Sequence, residues 1–325
     1  MKNFVLLGAA GYIAPRHMRA IKETGNVLVA AMDPHDAVGI IDSYFPDSAF
    51  FTEFERLDRH VEKLKRMGDE KRVHYVSIAS PNYLHDAHIR FALRVGAHAI
   101  CEKPLVLEPW NVDALKEIEK EYGRKVNAIL QLRLHPSIIA LKQKVDAINY
   151  PPSTINHPNP TKSNIDLTYI TSRGRWYLYS WKGNKEKSGG VATNIGIHFF
   201  DMLQWIFGKV QQNIVHLSES TRVAGYLELE KARIRWLLSL DRNDLPEIAR
   251  ANGKTTYRSI TVNNEEVEFS EGFTDLHTVS YQEILKDNGF GLDDVRPSIE
   301  IAHDIRHANP IGPKGEYHPF LKSHA

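Results

Sequence analysis

Lys103 and His198 are the two residues whose chemistry stands out first. Lys103 lies in Cys101-Glu102-Lys103-Pro104, directly after the apolar run Ala97-His98-Ala99-Ile100, so it carries an ammonium group to the point where a buried strand should end. His198 lies in Gly189-Gly190-Val191-Ala192-Thr193-Asn194-Ile195-Gly196-Ile197-His198-Phe199-Phe200-Asp201. On a helix, Asn194, His198 and Asp201 fall at positions i, i+4 and i+7, which places three polar side chains on one face of a largely apolar stretch. Burying such groups without partners is costly, so this face should line a cavity or meet another domain. A core histidine satisfied by a backbone carbonyl is the plain alternative for His198. One His with one Asp is a thin ligand set, and no metal is expected.

The elements that would position Lys103 read as an alternating β/α series. Phe4 to Leu7 is a short apolar run, as expected of a strand buried on both faces, and Gly8-Ala9-Ala10-Gly11-Tyr12-Ile13-Ala14 follows at once, with helical sequence to about Thr24. Gly8 permits a tight turn, Gly11 lets the backbone approach a pyrophosphate, and Ala14 keeps the helix close to the sheet, so a phosphate could meet the helix N-terminus. The middle glycine of the usual fingerprint is Ala10, and an ordinary turn is the alternative. Val27 to Met32 reads as a second strand ending in Asp33, where a carboxylate can accept from both ribose hydroxyls and repel a 2′-phosphate; NAD is favoured over NADP. Tyr75 to Ala79 predicts a further strand, ending in the turn-rich Ser80-Pro81-Asn82-Tyr83-Leu84-His85. Helices over 86–95 and 111–122 and a strand over 126–130 complete the pattern of a parallel, doubly wound sheet. The charged segment 58–71 should be a helix with a solvated face.

Beyond Gln131-Leu132-Arg133-Leu134-His135-Pro136 the alternation fades. Tyr150-Pro151-Pro152-Ser153 and His157-Pro158-Asn159-Pro160 act as breakers. Strands are expected over 222–229, 232–240 and 259–267, so the second domain should be α+β on a mixed, largely antiparallel sheet. Between Lys162 and Lys187, Arg173, Arg175, Lys182 and Lys185 interleave with Tyr169, Trp176, Tyr177, Tyr179 and Trp181. That mixture suits an anionic, ring-bearing ligand such as a sugar nucleotide, and equally an exposed hairpin or an interface between copies.

Composition sets outer bounds. The 325 residues are enough for two domains at roughly 100–200 residues each. With 42% hydrophobic and 25% charged residues and a formal net charge of +1, the chain reads as an ordinary globular protein, not one dominated by nucleic-acid phosphates. Its single cysteine, Cys101, excludes an internal disulfide and a thiolate cluster, and its place at a strand end suits an inert packing thiol. No stretch is long and apolar enough for a signal-peptide core or a bilayer span, so a cytoplasmic protein with no membrane partner is expected.

Taken together, the Gly8 to Ala14 loop, Ser80-Pro81-Asn82…His85, Glu102-Lys103-Pro104, Arg133-x-His135-Pro136 and Gly196-x-His198-x-x-Asp201 resemble the glucose–fructose oxidoreductase/inositol dehydrogenase family. Within it, Gln131 to Pro136, the block Arg173-Gly174-x-Trp176-Tyr177-x-x-Ser180-Trp181-Lys182 and Lys187 to Asp201 are most similar to the UDP-N-acetylglucosaminuronate 3-dehydrogenases of bacterial surface-polysaccharide synthesis. The resemblance implies a Rossmann domain over 1–130 and a substrate-binding and oligomerisation domain over 131–325. It implies NAD held by Gly8, Gly11, Tyr12, Ile13, Asp33, Ser80, Pro81, Asn82, His85, Glu102, Lys103 and Gln131, and a sugar nucleotide held by Lys103, Arg175, Trp176, Tyr177, Ser180, Lys182, Asn194 and His198. The implied reaction is oxidation of the sugar C3 hydroxyl, with His198 as general base and Lys103 polarising the oxygen or sharing the proton relay. Asp201 would orient the helix.

One departure narrows the substrate. Many sugar dehydrogenases of the wider family have an aspartate where this chain has Asn194; an amide takes no proton but can donate to a hydroxyl or carboxylate, which suits an already anionic sugar. The resemblance leaves open whether NADH departs or is reoxidised in place by a 2-oxo acid, and it implies a homo-dimer or homo-tetramer. Other readings on the same scaffold are a dehydrogenase of another sugar or cyclitol, an NAD-assisted glycoside hydrolase, and a non-catalytic nucleotide-binding regulator.

Overall fold

The computed structural model describes residues 1–149, 162–267 and 275–324; the breaker clusters at 150–153 and 157–160 lie outside them. The chain divides into two compact units, one of residues 1–131 and 274–296, the other of residues 132–273 and 297–325.

The first unit carries six strands: β1 (Asn3–Leu7), β2 (Val27–Met32), β3 (Ala49–Phe51), β4 (Tyr75–Ile78), β5 (His98–Cys101) and β6 (Val126–Ala128). They pair in the order β3-β2-β1-β4-β5-β6, every pair parallel. This is the doubly wound order whose strand direction of growth reverses between β1 and β4, and ligands bind outside the carboxyl ends of strands at such a point. All five residues of β1 are buried, as an apolar run bounded on both sides by helices requires. Five helices connect the strands: α1 (Ala14–Glu23), α2 (Val38–Asp42), α3 (Phe54–Arg66), α4 (His85–Arg94) and α5 (Pro109–Tyr122). Of the charged helix α3 only Leu57 and Val61 are buried, in accord with the expected solvated face.

The second unit is built on a mixed sheet of β7 (Ser163–Thr171), β8 (Val210–Ser218), β9 (Arg222–Leu229), β10 (Ala232–Ser239), β11 (Thr256–Val262) and β12 (Glu265–Glu266). Their order is β12-β11-β7-β10-β9-β8, with β7 and β10 parallel and the other pairs antiparallel. The run expected as one strand over 259–267 is two, because Asn263 and Asn264 adopt left-handed backbone, with φ values of 52° and 70°, and close a hairpin. Helices α6 (Pro136–Asn149), α7 (Trp176–Tyr179), α8 (Lys185–Ser188), α9 (Ile197–Phe207) and α10 (Glu247–Ala251) complete it. The segment after β7 is thus a set of short helical turns and not a hairpin. Period-two alternation puts Trp236 and Leu238 in the core beneath α9 and Leu237 on the other sheet face with Leu245 and Leu321. Phe200 meets Trp236 edge to face at 5.2 Å, a geometry worth about 0.5–1.5 kcal/mol beyond burial.

Residues 274–296, expected in the second domain, belong to the first unit. There α11 (Leu276–Leu285) packs on α1, with Tyr281 and Ile284 in the same core as Phe4 and Met18, and Phe290 bridges Ala128 at the sheet edge. Helix α12 (Leu292–His307) follows. Among the described residues no helix is long and apolar enough to cross a membrane.

On the outer sheet face, buried His318 accepts from the Phe320 N–H at Nδ1, so Nε2 carries the proton toward Thr168 Oγ1 at 3.0 Å. Burial pushes its pKa down to about 4. As pH falls from about 6.5 to 4 the unfolded chain takes up a proton that the folded chain refuses, so stability declines by about 3 kcal/mol through this group. Urea unfolding at neutral and acid pH should show His318→Gln losing correspondingly less than wild type over that interval; an equal loss would contradict it.

Candidate active site

The cofactor side is assembled at the carboxyl ends of β1, β2, β4 and β5. Gly8 turns the chain out of β1 at φ 88°, and a Cβ there would lie 2.6 Å from the Ala79 carbonyl and Ser80 nitrogen, so only glycine fits. Ala14 is fully buried, seating α1 on the sheet. No side chain caps the start of α1, whose first turn holds Pro15 and no acidic residue; Ala14 N and Arg16 N bond to the Gly11 and Ile13 carbonyls, so what this end offers an anion is the positive end of the helix dipole. Asp33 is buried at the end of β2, where Oδ2 accepts from Ala10 N at 3.0 Å and Oδ1 from His35 N at 2.9 Å. These bonds tie the carboxylate to the glycine loop beside the expected phosphate position. Tyr12 is exposed and Ile13 stands at the N-cap position of α1.

From the β4 end, Ser80 Oγ lies 2.8 Å from His88 Nδ1, Pro81 precedes a helical turn, and Asn82 is buried. His85 is occupied on both sides: Nδ1 lies 2.7 Å from the Pro104 carbonyl and Nε2 2.8 Å from the Ser80 carbonyl. Burial lowers its pKa, against the pull of those two carbonyls. The ring thus sits between the turns after β4 and β5, and as a neutral imidazole it donates to one of the two carbonyls. Gln131 Oε1 is buried with no hydrogen-bond partner among the described residues, an acceptor that a ligand donor would satisfy. A helix N-terminus without acidic side chains, an acidic strand end and an orphan amide oxygen fit a dinucleotide.

Lys103 is partly exposed between two buried residues, Glu102 and Pro104. The Glu102 side chain turns inward: Oε1 lies 3.1 Å from His17 Nε2 and 2.8 Å from His277 Nε2. Burial alone would raise its pKa, but the bonds from the two histidines outweigh it and hold the carboxyl well below the usual range. His17 and His277 were not legible as site residues, since their partner lies 85 and 175 positions away. Cys101 is fully buried, and burial pushes its thiol pKa well up, as a packing residue's would be.

In the second unit, residues Ala192–Gly196 form a π-helical turn that runs into α9. The expected single α-helical face for Asn194, His198 and Asp201 is therefore altered, because a π turn takes one extra residue and rotates Asn194 relative to His198. Gly196 lets this turn pass close to β10, since a Cβ would meet Leu238 Cδ1 at 2.6 Å and that buried side chain would have to shift. Asn194 is buried and its Nδ2 donates to Tyr177 Oη at 2.6 Å, while burial raises the Tyr177 pKa and keeps it a phenol. His198 is partly exposed in the first turn of α9.

Both Asp201 oxygens engage the Arg133 guanidinium, Oδ1 at 2.6 Å and Oδ2 at 3.0 Å, and both residues are buried. That fork locks α9 to the chain entering α6. Lys182 Nζ lies over the Trp176 and Trp181 rings at 5.1 and 5.3 Å, and burial, aided by Arg173, lowers its pKa. Ser180 is used locally: its Oγ donates to Tyr177 O and accepts from Lys182 N. Arg175 and Trp176 are exposed. The structure thus groups Tyr177 with Asn194, and Lys182 with Trp176, Trp181 and Arg173.

Removing one member of the buried Arg133–Asp201 pair leaves an uncompensated charge. Asp201→Ala should cost about 3–5 kcal/mol in chemical denaturation, and Arg133→Met with Asp201→Leu should recover most of it. A loss below about 1 kcal/mol in the single variant would show that the fork does not hold the helix.

Comparison with known proteins agrees with this geometry. Residues 2–129 match the oxidoreductase family's NAD-binding Rossmann fold, and residues 159–256 match its C-terminal alpha/beta domain. The WlbA (WbpB) dehydrogenase from Thermus thermophilus, solved in complex with NAD and UDP-GlcNAcA, is 50% identical, covers 98% of this chain and 100% of its own, and superposes with a TM-score of 0.91. The same enzyme is solved with NAD and alpha-ketoglutarate, at 51% identity, the same coverage and a TM-score of 0.91. The 2,7-anhydro-N-acetylneuraminate hydratase of Mediterraneibacter gnavus is 27% identical over 218 residues, 65% of this chain and 51% of that protein. This chain spans about half the length of the curated relatives it matches. With both domains matched and a half-identical relative aligned along its full length, the chain belongs to the glucose–fructose oxidoreductase/inositol dehydrogenase (Gfo/Idh/MocA) family of NAD-binding oxidoreductases.

Proposed function

We propose that this enzyme oxidises the C3 hydroxyl of UDP-N-acetylglucosaminuronic acid to the 3-keto sugar, as a step in bacterial surface-polysaccharide synthesis. The observation that carries this reading is the 50% identity, over 98% of the chain, to a dehydrogenase solved with NAD and UDP-GlcNAcA. The local chemistry supports it. Asn194 offers a neutral amide, held by Tyr177, and Lys182 offers a cation steadied by two indole rings; together they suit a uronate better than a neutral sugar.

Bound NAD supplies the hydride acceptor. His198 takes the proton from the C3 hydroxyl, a task for which an imidazole near neutral pKa is suited, whereas a lysine base would have to be tuned downward. Lys103 acts as an ammonium donor that orients and polarises the C3 oxygen. Asp33 selects the cofactor by receiving ribose hydroxyls and repelling a 2′-phosphate.

The relative solved with NAD and alpha-ketoglutarate supports a second half-reaction, in which a 2-oxo acid restores the oxidised cofactor without its release. We further propose a cytoplasmic homo-dimer or homo-tetramer with no nucleic-acid or membrane partner.

Purified protein incubated with UDP-sugars and their uronates, with NAD and with or without alpha-ketoglutarate, should yield a 3-keto product by mass spectrometry from the acetamido uronate. Lys103→Ala and His198→Asn should each lower kcat by about 100-fold or more. Efficient oxidation of a neutral UDP-sugar alongside an inert uronate would overturn the substrate, and full turnover in both variants would overturn the catalytic assignment.

A further inference from the structure

Beneath the Glu102-Lys103-Pro104 turn, a chain of five buried side chains runs through the first unit: Ser77, Tyr281, His17, Glu102 and His277. Ser77 Oγ lies 2.6 Å from Tyr281 Oη, Tyr281 Oη 2.8 Å from His17 Nδ1, and both histidine Nε2 atoms converge on the single oxygen Oε1 of Glu102. None of the established features of a nucleotide fold requires a doubly histidine-bound carboxylate at this point.

The directions of these bonds follow from the chemistry of the groups. An ionised carboxylate only accepts, so each Nε2 must carry a proton. Burial lowers the His17 pKa, which makes it a neutral imidazole with a lone pair on Nδ1. Burial raises the Tyr281 pKa, so its phenol keeps its proton and donates it to that lone pair, and Ser77 donates in turn to Tyr281 Oη. His277 Nδ1 is buried with no partner among the described residues. The neutral Nε2–H tautomer leaves only a lone pair there, whereas an imidazolium would leave an orphan N–H, the costlier defect. Every donor in the chain then finds an acceptor.

This arrangement bears on Lys103 through the backbone. Glu102 N donates to Ile78 O at 2.9 Å, its side chain is held by α1 and α11, and the Pro104 carbonyl is held by His85. Lys103 is therefore flanked on each side by a residue tied to a different element, which fixes the point from which its side chain extends. We propose that His17 and His277 are positioning residues for Lys103: by donating to one oxygen of Glu102 they keep a buried carboxylate ionised in place, and with it the turn that presents the reacting ammonium. The inference rests on Lys103 acting in the oxidation proposed above.

The two neutral tautomers are read directly by nitrogen-15 NMR of histidine-labelled protein, with signals assigned through His17→Gln and His277→Gln. Both rings should show a protonated Nε2 and an unprotonated Nδ1 at neutral pH, a readout independent of turnover. An imidazolium or an Nδ1–H tautomer at either position, or a stoichiometric divalent metal in the purified protein, would overturn the proposal. In kinetics, His277→Leu, which removes the donor, should lower kcat about tenfold or more while KM for the sugar nucleotide and for NAD stay within about twofold. His277→Gln, whose amide N–H reaches the same oxygen, should recover most of kcat. Unchanged kcat in His277→Leu, or equal losses in the two variants at equal thermal stability, would also overturn it. A wild-type protein inactive on every sugar nucleotide would instead refute the proposed function and leave the tautomer result standing.

Discussion

A carboxylate buried in the core of a nucleotide-binding domain is tolerated only if fixed donors replace the water it has lost. Glu102 meets that condition with His17 from α1 and His277 from α11. The requirement reaches far along the chain, because residues 274–296 must return from the second unit to complete the first. The packing of α11 on α1, the burial of Tyr281 and the placing of Lys103 at the mouth of β5 are parts of one arrangement.

The second unit meets the same physical demand with charge. Arg133 and Asp201 pair as a buried fork, which fixes α9 by its polar side while Phe200, Leu203 and Phe207 fix it by its apolar side on the sheet. The π turn before it rests on Gly196 against Leu238 and presents Asn194 to Tyr177. Each unit thus holds its proposed reacting residue, Lys103 or His198, close in the chain to a buried ionic group.

How much of this could be read from the residues depended on the range of the interactions. The β1, glycine-loop, α1 and β2 sequence, with Asp33 at its end, was legible because an apolar run, a turn glycine and a helical period are local signals. Strand β9 was placed as expected for the same reason. Strand β8 was not foreseen, since its start, with Gln211, Gln212 and Asn213, is polar at the sheet edge. The Asn263-Asn264 turn lay hidden within a β-rich run. The Glu102 cluster was beyond reach, because nothing local in His17 or His277 announces a partner on another element. His85 was expected near the cofactor, but its two carbonyl partners are a matter of tertiary packing.

The central claim is transfer of the C3 hydrogen of the sugar, with its electron pair, to NAD. It is tested most directly by single-turnover reaction of the enzyme and NAD with UDP-N-acetylglucosaminuronic acid carrying deuterium at C3, followed by mass analysis of the cofactor. The account predicts one deuterium in the reduced nicotinamide and none left at C3. Deuterium retained by the sugar while the cofactor is reduced, or lost to water, would contradict it.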